Sequence, residues 1–129
     1  MHSALVVCHG ELGAAFQNAI ACIFGDLDGF GGVGNAGLSA EALQGEVERS
    51  LDVLGDGGLV FTDYFGGSCA TACQAALRSR PHFRLVSGVN LPMLIFFFTH
   101  RSEMSLEAIL TGVIHRGQNA IRELTPPGL

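Results

Sequence analysis

Short apolar, β-rich runs alternate along this chain with stretches whose apolar residues recur at helical spacing. That alternation restricts the fold more than any other feature, because parallel strands need crossover connections and helices are the usual crossover. Ala4 to Cys8 is the first run, suited to a strand buried on both faces. Leu12, Phe16, Ala19, Ile20 and Ile23 then predict a helix within Glu11 to Phe24, stopped by Gly25. Asp28 to Gly37 is glycine-rich and ambiguous, a loop with room for a short irregular strand around Phe30 to Val33. Ser39 is placed to cap a second helix with Leu43, Val47, Leu51 and Leu54 on one stripe, closed by Gly55. Gly58 to Thr62 reads as a strand, Asp63 to Ser68 as the turn after it, and about Cys69 to Ser79 as a third helix. Phe83 to Ser87 is another strand, Val89 to Met93 turns into an apolar helix through Phe98, and Leu106, Ile109, Leu110, Val113 and Ile114 mark a last helix after Ser105. The expectation is an α/β, doubly wound, mainly parallel sheet with helices on both faces. No repeat or linker interrupts the pattern, so residues 1–129 read as one domain.

Composition narrows the function classes. A net charge of −5 argues against a nucleic-acid binder, which needs a basic face to neutralise phosphates. The longest apolar run, Leu91 to Phe98, is too short to span a bilayer, and Met1 to Gly10 lacks the basic start of a secretory signal. The cysteines Cys8, Cys22, Cys69 and Cys73 fit small apolar thiols of a reduced protein better than a disulfide framework, so a cytoplasmic location is expected. Apolar residues reach 48% against 15% charged, and mean hydropathy is +0.38. That balance points to surface hidden in an oligomer.

In open α/β sheets, functional groups gather beyond the carboxyl ends of the strands. Three segments land there: Cys8-His9-Gly10, Asp63 to Ser68, and Val89 to Met93. A neutral imidazole at His9 would offer one bare nitrogen as nucleophile, with Asp63 accepting the other ring N–H to fix the tautomer and offset the charge formed on attack. Gly66, Gly67 and Ser68 at a helix start offer backbone N–H groups, the positive dipole end and a hydroxyl to phosphate oxygens. Histidine forms a labile phosphoramidate, so this set describes a phosphoryl relay better than a hydrolase. Taken singly, each residue has a structural use: a polar strand end, a turn aspartate, a glycine helix start.

Cys8-His9-Gly10 with its following helix, Val60 to Ser68, and Ser87 to Leu94 resemble, in order and spacing, the mannose-type enzyme IIA family of the bacterial sugar phosphotransferase system (PTS). The resemblance implies that His9 accepts a phosphoryl group from phospho-HPr and passes it to an enzyme IIB partner, with Asp63 as orienting carboxylate and Ser68 as phosphate ligand. It also implies a sheet of four parallel strands plus a C-terminal antiparallel strand exchanged in a homodimer. Ala120 to Leu124 is the segment placed to supply that strand. No cofactor and no metal are called for, nor any direct insertion into a membrane. The chain departs from the family at Cys8, Phe65 and Cys69, where a small hydroxyl residue, Trp and Pro are usual.

Other readings stay in view. The same domain could stand alone as a regulatory phospho-sensor, or feed phosphate to a dihydroxyacetone kinase. Cys69 and Cys73, four apart near Cys8 and His9, could instead mark a thiol or metal-binding protein, although structural zinc sites favour tighter cysteine pairs. His2, His82, His100 and His115 have no motif context. Phe96-Phe97-Phe98 exceeds what one helix face buries; a dimer contact is its simplest use, a three-sided core position the alternative.

Overall fold

The computed structural model describes residues 1–128. Nine elements follow one another: β1 (Ser3–Cys8), α1 (Leu12–Phe24), β2 (Phe30–Gly34), α2 (Ala40–Leu54), β3 (Gly58–Thr62), α3 (Ser68–Leu77), β4 (Phe83–Val86), α4 (Leu91–His100) and α5 (Leu106–Asn119). The strands form one parallel sheet in the order β2-β1-β3-β4, with Cys8 paired to Gly34 of β2 and Val7 to Thr62 of β3. This is the α/β doubly wound sheet expected from the alternation.

The period of two along β1 divides the core. Ala4, Val6 and Cys8 point into a cluster with Ile20 of α1, Leu94 and Phe97 of α4, and Ile109 and Val113 of α5. Leu5 and Val7 point the other way, into Leu43, Val47 and Leu51 of α2 and Cys69, Cys73 and Ala76 of α3. The helices that follow the two central strands therefore lie on opposite faces, and a crevice opens between β1 and β3 at their carboxyl ends, the place where such sheets carry function.

Glycine in β2 answers to its neighbours rather than to a loop. A Cβ on Gly34 would collide with the Gly10 carbonyl, and one on Gly31 would press against Leu5 and Leu54. The strand is regular because its side chains are absent where β1 and its following turn crowd it.

The phenylalanine triplet resolves into three directions within one chain. Phe97 is fully buried edge-on to Phe61, Phe98 packs on Phe30, and Phe96 lies over Gly112 of α5, beneath the Arg116 guanidinium. Contrary to the simplest sequence reading, the run needs no second copy, because α4 is covered on three sides by the sheet, α1 and α5.

The C-terminal strand expected over Ala120 to Leu124 does not form in this chain. Ala120 ends α5, the residues after it carry no regular structure, and Ile121 and Leu124 are 83% and 88% exposed. A strand needs an edge to pair with, and within the chain this segment forms no ladder with β2 or β4. No helix among the described residues is long and apolar enough to cross a membrane.

Candidate phosphoryl-acceptor site

β1 ends at Cys8 and the chain turns sharply, with Gly10 at φ +58°, a conformation that costs glycine little. The turn lifts the His9 side chain out of the sheet at 45% exposure. One residue past the end of β3, Asp63 stands beside it with a side chain only 13% exposed. Its carboxylate accepts the His9 backbone N–H at 2.9 Å and lies 3.0 and 3.1 Å from the ring Nδ1. An ionised carboxylate only accepts, so the neutral ring must carry its proton on Nδ1. Nε2 is left bare. These hydrogen bonds to Asp63 also fix the loop, since backbone and ring are held by the same group.

The opposite wall is the start of α3. A Cβ on Gly67 would lie 2.9 Å from His9 Cε1, 3.3 Å from Nε2 and 3.0 Å from Tyr64, so glycine lets the helix start approach the bare nitrogen. Gly67 is the N-cap of α3, and no side chain caps the helix. The backbone N–H groups of its first turn therefore have no intrahelical partner, and they carry the positive end of the helix dipole. Ser68, the first helical residue, is exposed. Tyr64 stands edge-on to His9 at 6.4 Å between ring centres, and Phe65 is 87% exposed beside it.

His9, Asp63, Gly66, Gly67 and Ser68 are thus brought to one surface. Val89 to Met93 is not. The Asn90 amide is used in packing: its Oδ1 accepts from Met93 N at 3.2 Å to cap α4, and its Nδ2 donates to the Gly117 carbonyl at 3.1 Å. The segment still supports the site, because Val89 N donates to the carbonyl of Thr62, the residue before Asp63.

One site residue escaped the sequence reading. Asn35 follows β2, one position past the Cys8–Gly34 pair, and its Oδ1 accepts the Gly10 N–H at 3.0 Å while its Nδ2 donates to Ser68 Oγ at 3.4 Å. The available signal was positional: a strand at Phe30 to Gly34 would have put Asn35 at the carboxyl end of the sheet beside His9.

Burial disfavours ionisation of the thiols behind the site. Burial, then the Asp63 charge, then Cys69 push the Cys8 thiol up to about 12, despite an opposing hydrogen bond with Asp63. Burial and Asp63 also push Cys69 up, against a hydrogen bond from Ser68, and Cys73 is pushed up chiefly by burial. His9, Asp63 and Cys69 place one ligand atom each within 4.8 Å of one another, close enough to converge on a metal ion. Binding there would require the Cys69 thiol to ionise while buried and would take Asp63 from His9.

No cavity described among these residues encloses the imidazole. One cavity of about 460 Å³, between Met1, Gly57, His82 and Leu106, lies at the amino ends of the strands, far from the chemistry. His9 stands on an open surface, a geometry suited to contact with another macromolecule rather than to engulfing a small substrate.

Comparison with known proteins shows the family and the fold. The family EIIA-man, described as PTS system fructose IIA component, matches residues 3–114. The chain belongs to that family. It is similar to a phosphotransferase system component EIIA from Streptococcus agalactiae, at 22% identity with a TM-score of 0.88 over 95% of this chain and 97% of that one. A mannose/sorbose specific IIA subunit from Enterococcus faecalis is 21% identical with a TM-score of 0.86, over 99% and 98% of the two chains. A PTS IIA protein associated with the fucose utilization operon of Streptococcus pneumoniae is 23% identical with a TM-score of 0.80, over 95% and 96%. At these identities the structures establish a shared fold. Among curated proteins none matches.

Proposed function

We propose that this EIIA-man protein is a histidine phosphocarrier: His9 takes a phosphoryl group from phospho-HPr and passes it to an enzyme IIB partner in sugar uptake. The observation that carries the reading is a half-exposed imidazole with a carboxylate on Nδ1 and, among the described residues, no partner on Nε2. In the acceptor step the Nε2 lone pair forms a bond to phosphorus, while the donor's bond to phosphorus breaks and its electron pair stays with the donor. The Nδ1 proton remains on the ring, and Asp63 offsets the positive charge the ring acquires. Gly66, Gly67 and Ser68 hold the phosphoryl oxygens with N–H and hydroxyl donors at the open helix start. Passing the group to enzyme IIB reverses the same bonds. Partners on both sides are proteins, which suits a site with no enclosing pocket, and the working location is the cytoplasm.

The reading includes a homodimer in which the segment from Ala120 to Leu124 pairs with the sheet edge of a second copy. Its support is the pair of exposed apolar side chains Ile121 and Leu124 on a segment without a partner in its own chain. Sedimentation at micromolar concentration should give a dimer, and a monomer would remove this part.

The deciding experiment is incubation with phosphoenolpyruvate, enzyme I and HPr. The protein should acquire an acid-labile, base-stable label, and His9→Ala should acquire none. Label that survives His9→Ala would sink the assignment.

A further inference from the structure

Between β2 and the site stands one side chain whose two ends are both committed. The Gly10 N–H can only donate, so the Asn35 oxygen must face it, and the amide nitrogen must therefore face Ser68. The orientation of the amide is fixed by its partners, not by choice of atom labels. Asn35 Nδ2 in turn can only donate, so Ser68 Oγ accepts from it with a lone pair. The Ser68 hydrogen is thereby turned away from Asn35. It is free for an oxygen arriving at the helix start.

We infer that Asn35 is a positioning residue for phosphoryl transfer, setting the Ser68 hydroxyl as a donor toward the transferred group while holding the His9-Gly10 turn at the same time. This rests on the phosphocarrier reading above. It adds a residue from the loop after a third strand to a site otherwise built from the segments that follow β1 and β3. It also gives a reason for the close approach of β2 to the turn, where Gly34 lies against the Gly10 carbonyl. A bulkier strand end would push Asn35 off both partners. The hydroxyl's direction matters because a phosphoryl group brings only acceptor oxygens. A Ser68 whose hydrogen were already given to an acceptor at position 35 could present only lone pairs to it.

The chemistry predicts a particular pattern across variants. Asn35→Ala removes both bonds, and Ser68→Ala removes the hydroxyl itself. Asn35→Asp is close in shape and keeps an acceptor for Gly10, so it preserves the turn, but it puts an acceptor against Ser68 and draws the hydroxyl hydrogen the wrong way. The experiment measures kcat and KM for phosphoryl transfer from phospho-HPr in the wild type, the three single variants and the Asn35→Ala, Ser68→Ala double variant, with a thermal melt for each. Asn35→Ala, Asn35→Asp and Ser68→Ala should each lower kcat about ten-fold or more while KM for phospho-HPr stays within about two-fold. The double variant should fall no more than about two-fold below Ser68→Ala alone, because Asn35 acts largely through that hydroxyl. A folded Asn35→Asp protein with the wild-type kcat would overturn the inference. So would a double variant whose loss is the product of the two single losses. Should Asn35→Ala fail to fold, Asn35→Asp decides alone. A wild-type protein that takes no phosphoryl group at all would instead bring down the phosphocarrier reading, and this inference with it.

Discussion

The helices that follow the central strands and those that follow the edge strands begin differently. After the edge strands β2 and β4, α2 and α4 are capped by side chains: Ser39 Oγ accepts from Ala42 N at 3.1 Å, and Asn90 Oδ1 from Met93 N at 3.2 Å. After the central strands β1 and β3, α1 and α3 have no side-chain cap. A cap contributes roughly 0.5–2 kcal/mol, so its omission at both helices is a real loss of stability. At α3 the reason is steric, since any side chain at Gly67 would enter the space beside His9. The difference teaches that one end of one sheet serves two purposes. Its margins are optimised for stability, while its centre keeps backbone donors unspent where a negative group would arrive.

The sharpest way to break this comparison is Asp63→Asn. An amide can still hold the ring but cannot offset the charge formed on Nε2 attack, so transfer from phospho-HPr should slow by a factor on the order of 10² or more with the melt unchanged. A folded variant with the wild-type rate would make Asp63 a turn residue. Gly67→Ala comes next. Its methyl group would meet the imidazole and Tyr64, so transfer should fall on the order of ten-fold while stability changes little. Retention of the full rate would show that the close approach of α3 is dispensable.

At the margins the signs reverse. Asn90→Ala removes both the cap of α4 and the tie to Gly117, which should destabilise the fold by about 1–3 kcal/mol in denaturant titration and leave His9 phosphorylation at its normal rate. Ser39→Ala should be the mildest, costing about 1 kcal/mol, again with transfer intact. Either margin variant slowing transfer while stably folded would contradict the division between centre and edge.

Much of this was legible in the sequence, and the failures have physical causes. Gly58 to Thr62 was read as a strand at its true limits, because a fully buried parallel strand is a continuous apolar run. His9 and Asp63 were legible because the ends of such runs mark the sheet's functional edge. β2 was obscured by its glycines, which lower strand propensity yet are required by close packing, and with the strand in doubt Asn35 could not be placed. Asn90 was placed at the right edge, but composition does not reveal that its amide serves Met93 and Gly117. The phenylalanine triplet suggested a second copy because helical periodicity counts faces one at a time and does not register neighbours on three sides. The segment after α5 carries apolar residues, Ile121 and Leu124, that suggest a strand, but it has no regular structure because no strand of its own chain pairs with it.

The disposition of sulfur has a practical consequence. Cys8, Cys69 and Cys73 are buried and Cys22, on α1, is exposed. Reagents that attack sulfur from solvent thus meet a single target, on the helix that begins just after the His9 turn. The natural chain already accepts one fluorophore or spin label at a defined position, with no cysteine to be engineered in or out. A dye at Cys22, near the far end of α1 from His9, would sit away from the reacting residues and leave them untouched.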